Sequence, residues 1–381
     1  MKLNDVTGAV ADLGVLVPLA AALILVNGLD PSAVFVGAGL LVLAAGAIFR
    51  IPFPVQPLKA LTAVAVANEL GADVINAAGL EIAAFLVLLS IGRVADLISR
   101  AFTKPVVRAL QLGVGILLVT SAYKLVARPP DVFTGTPSSP WPVVLAVGAA
   151  IVLAFAAKKG QYALALCVLA GGAVATWFAA GPTLQGPSFT LPDIGLPAAS
   201  AFGTAFVLLV IPQLPLTFGN AVVAVSDVSR VYFGERAARV TPTRVCLSCG
   251  IGNAVSGLLG GMPMCHGSGG LTAHVRLGAT TAWMNALLGG AFLTLGFFFA
   301  PQVTVLLGLQ PVWALAAFLG YAGLRHAWLV ADLRGLRLGL AIAAGAVGAA
   351  TGNLAFTLAI GLVGDHLVLR RLDRRPVATH R

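Results

Sequence analysis

Two stretches decide the fold: Ile-Pro-Phe-Pro-Val-Gln-Pro-Leu-Lys-Ala-Leu-Thr-Ala at residues 51–63 and Gly-Met-Pro-Met-Cys-His-Gly-Ser-Gly-Gly-Leu-Thr-Ala at residues 261–273. Both end in Leu-Thr-Ala. Aligned there, Gln56 corresponds to His266 and Lys59 to Gly269. Pro52, Pro54 and Pro57 deny a helix its backbone donors and favour extended chain. Gly267, Gly269 and Gly270 allow close backbone approach. Helix resumes after each break, so its first N–H groups lack intrahelical partners. Those groups and the positive end of the helix dipole form a ready anion site.

The surrounding sequence places both breaks inside a membrane. The chain has 381 residues, 59% hydrophobic and 10% charged, with a mean hydropathy of +0.96. Soluble domains carry about 25% charged residues, so the lipid bilayer is the expected solvent. A helix crosses the hydrocarbon core in about 20 residues. Apolar segments of that kind fall near 8–27, 31–49, 74–98, 105–126, 142–157, 161–180, 199–225, 242–260, 278–300 and 311–330, with shorter ones near 338–350 and 352–366. Adding half-helices near 55–69 and 265–276 makes fourteen segments, in two sets of seven. The first stretch runs on too long for a signal peptide and is expected to be the first membrane helix.

Charge tests the count. With the N-terminus inside and each segment crossing once, all but three of the 24 basic residues fall on the inner side. Lys124 and Arg128 fall outside and Lys59 within the membrane. That bias fits a cell-membrane protein with cytoplasmic N- and C-termini. It also accounts for the formal net charge of +10 without nucleic acid as a partner.

The expectation is therefore an all-α polytopic membrane protein with a 7+7 inverted repeat. Repeat one covers 1–182 and repeat two 195–370, and an odd number of segments per repeat inverts the second relative to the first. Paired short segments interrupted by Gly and Pro in two inverted halves point to a transporter's binding site.

Ionisable and amide groups within the membrane are the candidate ligands, because burying them there is costly. Gln56 and Lys59 open the first half-helix, and Lys59 serves as a point charge for an anion. His266, Gly267, Ser268 and Gly269 open the second. Gln213 and Asn220, seven apart in one span, share a helix face. Asp12 lies in the first span, and Asp12 and His266 are the candidate proton carriers. Gln111 is a weaker candidate, and Asp227 is expected on the surface.

Two other signals carry less. Cys246-Leu-Ser-Cys249 has a redox or metal spacing but lacks a second pair and lies in an apolar span. The glycine-rich run from Gly260 is followed by no Gly-Lys-Ser/Thr, so it is not a phosphate loop. No metal and no cofactor is expected.

Gly-Ala-Val-Ala-Asp-Leu-Gly from residue 8, Pro-Phe-Pro-Val-Gln-Pro-Leu-Lys-Ala from 52, Pro-Val-Val-Arg-Ala-Leu-Gln-Leu-Gly from 105, Leu-Pro-Leu-Thr-Phe-Gly-Asn from 214 and the 261–271 motif stand in order. On these motifs the chain resembles the molybdate transporter family related to SulP sulfate permeases. The resemblance implies a fold like that of uracil permease and SulP proteins. It implies a core (8–98 and 199–300) that holds substrate between the third and tenth helices. A gate (105–180 and 311–366) packs beside it, often as a homodimer. The STAS domain of typical SulP proteins is expected to be missing.

The expected function is proton-coupled import of molybdate by alternating access, with sulfate or another oxyanion as the alternative. Entry of an anion into a negative cell is opposed by about 2.3 kcal/mol per charge per 100 mV, so a divalent anion needs coupling. A nucleobase symporter shares the architecture but usually has a carboxylate where Ser268 and glycines stand. An anion channel remains a further alternative, and no clustered carboxylates or metal ligands suggest an enzyme.

Overall fold

A computed structural model describes residues 3–9, 13–91, 103–129, 141–158, 174, 186–308 and 312–369. The first half contains α1 (Leu3–Ala9), α2 (Leu13–Leu25), α3 (Pro31–Phe49), strand β1 (Gln56–Pro57), α4 (Lys59–Ala67), α5 (Ala72–Leu89), α6 (Lys104–Ala127) and α7 (Trp141–Lys158). The second contains α8 (residues 199–233), α9 (Pro242–Leu258), strand β2 (Met264–Cys265), α10 (Ser268–Arg276) and α11 (Trp283–Phe298). It continues with α12 (Ala300–Gly308), α13 (Val312–Trp328), α14 (Gly335–Thr351) and α15 (Leu354–Val363).

Helix ends follow local chemistry. Asp30 accepts the N–H of Ala33 at 2.7 Å and Pro31 occupies the first turn of α3, where a missing N–H costs nothing. At 19 residues, α3 is about 28 Å long at 1.5 Å per residue, enough for the hydrocarbon core. Among the described residues, five helices are long and apolar enough to cross a membrane. A sixth arises if α11 and the following short helix count as one bent span.

That pair departs from expectation. The chain bends by 98° after α11 and continues as α12, a helix absent from the sequence reading. Pro301 falls in its first turn, where proline is tolerated because the donor it lacks has no intrahelical acceptor. Gln302 Nε2 also donates to the Gly186 carbonyl at 2.7 Å. The segment expected at 161–180 lies almost wholly outside the described residues.

Small residues set the helix contacts, as expected where backbones pack closely in lipid. A Cβ on Gly46 of α3 would lie 2.5 Å from Asn285 Cβ of α11, and one on Gly115 of α6 2.6 Å from the Gly323 carbonyl of α13. Thus α3 packs on α11, α5 on α9, and α6 on α13 and α14.

The all-α expectation omits one feature. β1 and β2 pair antiparallel, with Gln56 opposite Cys265 and Pro57 opposite Met264. Prolines hold both segments extended, and the two chains leave the pairing in opposite directions as α4 and α10. Each of these helices has nine residues, about 13 Å and half the hydrocarbon thickness.

Candidate functional site

The site forms where α4 and α10 begin. In α4 the first N–H to close onto the helix is that of Thr62, on the Leu58 carbonyl at 2.8 Å. In α10 it is that of Leu271, on the Gly267 carbonyl at 3.2 Å. The residues ahead of these, Lys59–Leu61 and Ser268–Gly270, carry the N–H groups that a helix leaves without internal partners. Neither N-cap, Leu58 or Gly267, supplies a side-chain acceptor.

α8 reaches both helix starts. Gln213 Oε1 accepts the N–H of Leu61 in α4 at 2.9 Å, while its Nε2 donates to Thr217 Oγ1 at 2.9 Å. Two turns on, Asn220 Oδ1 accepts the Ser268 hydroxyl of α10 at 2.6 Å. Between them α8 contains Pro215 and a π-helical stretch at Thr217–Ala224. Wide turns of this kind accompany functional sites. They also change the α-helical register on which Gln213 and Asn220 would share one face, so each serves a different half-helix.

Gln56 and Lys59 close the group from the other side. Lys59 Nζ donates to Gln56 Oε1 at 3.0 Å. A Cβ on Gly267 would lie 2.7 Å from that same Oε1 and 3.6 Å from Asn220 Nδ2. Glycine at 267 is therefore what lets the Gln56 amide pass against α10. Gln56 is buried, Lys59, Asn220 and Ser268 are half-buried, and Gly269 is exposed. Five side chains or backbone positions from the sequence reading thus meet: Gln56, Lys59, Asn220, Gly267 and Ser268, with Gly269 at the open edge. The cluster offers amide, hydroxyl and ammonium donors beside two positive helix ends, the chemistry that holds an oxyanion.

Gln213 and His266 are turned to the protein instead. His266 has no exposed surface. Its Nδ1 lies 2.8 Å from the Pro54 carbonyl and its Nε2 3.0 Å from Ser248 Oγ. Its ring meets the edges of Phe49 and Phe53, at 5.7 and 4.9 Å between centroids. It ties the first extended segment to α9. Gln111 accepts from Arg108 at 2.8 Å, and Arg108 also grips Asp332 with two nitrogens, at 3.0 and 2.7 Å. Asp227 is exposed. Cys246 and Cys249 are buried and free. Asp12 lies outside the described residues.

Sequence reasoning passed over two asparagines. Asn285 of α11 accepts the N–H of Phe53 at 3.0 Å and donates to its carbonyl at 2.7 Å. Asn253 of α9 accepts the N–H of Met264 at 2.8 Å and donates to its carbonyl at 2.7 Å. Each amide stands in for a neighbouring strand, which satisfies backbone groups that water cannot reach. The available signal was an asparagine in the middle of an otherwise apolar helix.

Comparison with known proteins gives a consistent result. The sequence profile of a family described as "Molybdate transporter of MFS superfamily" matches residues 4–118 and 205–325. The chain is similar to molybdate transporter 2 of Arabidopsis thaliana, at 31% identity over 87% of this chain and 79% of the relative. It is also similar to molybdate transporter 1 of Chlamydomonas reinhardtii, at 27% identity over 88% and 85%. Among solved structures, the transmembrane domain of the cyanobacterium bicarbonate transporter BicA aligns with a TM-score of 0.68 at 17% identity, covering 93% of this chain and 96% of that one. Murine Solute Carrier 26 family member A9, an anion transporter in the inward-facing state, aligns at 0.64 and 12% identity, covering 97% and 68%. At these identities the structural likeness is one of fold.

Proposed function

This chain belongs to the molybdate transporter family, and from that premise we propose that it is a secondary active transporter that imports molybdate. The observation that carries the reading is the convergence of Gln56, Lys59, Asn220 and Ser268 on the starts of two half-helices. A tetrahedral oxyanion suits this arrangement. Its oxygens take up backbone N–H groups from both helix ends, while Lys59 supplies one full positive charge that is already hydrogen-bonded to Gln56.

The proposed orientation puts both termini in the cytoplasm and the chain in the cell membrane, on the strength of the basic-residue bias. Transport proceeds by alternating access. Here α1–α5 and α8–α11 carry the site as a body past the helices packed around α6 and α13. Import of a divalent anion against the membrane potential requires coupling, and protons are the proposed source. Asp12 is the proposed carrier. His266 serves to position the crossing, since both of its ring nitrogens lie on protein partners.

The test is calorimetric titration of the purified chain with molybdate, sulfate and uracil at two pH values, followed by uptake into proteoliposomes under an imposed pH gradient. Molybdate binding that exceeds sulfate binding, with gradient-driven uptake, supports the proposal. Equal binding makes the chain a general oxyanion carrier. Uracil binding without oxyanion binding overturns the substrate. Uptake by Asp12→Asn with an unaltered pH dependence overturns the assigned carrier.

A further inference from the structure

A second set of polar groups lies at the opposite end of α4. A cavity of about 630 Å³ opens between α2, the C-terminal end of α4, α6 and α13. Its lining includes Ser121 and Lys124 of α6 and Arg128 just beyond it, with Glu69 just beyond α4. Ser121 and Lys124, three residues apart, share one face of α6, and Arg128 follows at its C-terminal cap. Lys124, Arg128 and Glu69 are all exposed, and among the described residues none of the three forms an ion pair. The cavity therefore carries two positive charges against one negative.

Ser121 is the buried polar member of the lining. Its side chain is 3% exposed, and its hydroxyl has no hydrogen-bond partner among the described residues. A helical serine can satisfy itself on the carbonyl one turn back, yet this one does not, and its residue faces the cavity. Its oxygen is itself buried and unpaired among the described residues, so it lies behind the wall of the cavity rather than on its open surface.

We propose that this cavity is a capture site for a tetrahedral oxyanion, bound by Lys124 and Arg128 before the anion reaches the starts of the half-helices. The inference rests on the transport reading and its orientation, which place this cavity on the outer face. Lys124 adds a consequence. Its Nζ donates to the carbonyl of Ala67, the last residue of α4, at 3.1 Å. An arriving anion competes with that carbonyl for the ammonium group. Capture therefore loosens the tie between α4 and α6 that holds this end of the half-helix.

The experiment is molybdate uptake by cells expressing the chain, at low and high ionic strength, with surface amounts of each variant measured. Lys124→Gln/Arg128→Gln raises KM about tenfold at low ionic strength, the scale of electrostatic steering. Glu69→Gln lowers it, and both effects shrink in salt as screening sets in. Arg128→Gln alone moves KM in the same direction as the pair, without disturbing the Ala67 contact. Wild-type KM in all variants overturns the proposal. So does an unchanged KM combined with an anionic lipid retained by the purified wild type and lost from the double variant, which assigns the cavity to a headgroup. If the wild-type chain moves no oxyanion, the transport reading fails on its own. If it does and the variants match it, only the capture site fails.

Discussion

Asn285 holds Phe53 by both of its backbone groups, accepting from the nitrogen at 3.0 Å and donating to the carbonyl at 2.7 Å. Asn253 does the same to Met264. The two extended segments that cross beside the site thus have the same support, one from α11 and one from α9. An extended segment within a bilayer survives only where protein satisfies its backbone, and these amides do so without adding charge.

Replacing Asn285 or Asn253 with alanine leaves a buried N–H and a buried carbonyl unpaired. Each substitution is expected to cost about 2–3 kcal/mol. Thermal unfolding of the purified variants in detergent checks this, and a loss in only one of the two would break the equivalence drawn between them.

Gly267→Ala puts a methyl group 2.7 Å from Gln56 Oε1. That oxygen ends a flexible side chain, so the fold accommodates the change while Gln56 swings away from Lys59. Molybdate affinity is expected to fall about tenfold, or about 1.4 kcal/mol, with a smaller loss of thermal stability than in Asn285→Ala. Calorimetry and unfolding on the same sample decide it.

Asn220→Asp replaces the acceptor of the Ser268 hydroxyl with a carboxylate at the open side of the site. It keeps the hydrogen bond and adds a like charge beside the bound anion, so binding is expected to disappear. Ser268→Ala removes one donor and is expected to weaken binding by about 1 kcal/mol. Equal effects of the two in a radiolabelled molybdate binding assay would mean that charge at this position does not matter.

His266→Gln tests positioning against proton carriage. With two protein partners and no exposed surface, the histidine is expected to matter for stability. The variant should unfold at lower temperature and keep the shape of its uptake-against-pH curve at temperatures where it is folded. A flattened curve with unchanged stability would return His266 to the proton path.

Much of this was legible in the sequence because it follows from local rules. Closely spaced prolines at 52, 54 and 57 favour extended chain, and the half-helices expected near 55–69 and 265–276 fall where α4 and α10 form. Gln56, Lys59, Asn220 and Ser268 stood out in the sequence because polar groups within apolar segments are costly to bury, and the structure brings them together with Gly267. The bend into α12 was not legible, since the expected spans ended at 300 and resumed at 311 and the residues between them were assigned no element.

Composition and segment length alone established that this chain crosses a membrane several times, because so apolar a chain with helix-length segments needs lipid as its solvent, and its prolines and glycines marked where two segments are interrupted. Tertiary structure decided which polar side chain serves which partner. Gln213 and Asn220 looked equivalent along one helix, but a π-helical stretch sent one amide to Leu61 and the other to Ser268. His266 was a ligand and proton-carrier candidate in the sequence, and the crossing of the two segments gave its ring Pro54 and Ser248 as partners. Hydrogen-bond partners far apart in sequence are chosen by how the helices pack, and the pattern of any single segment does not contain that information.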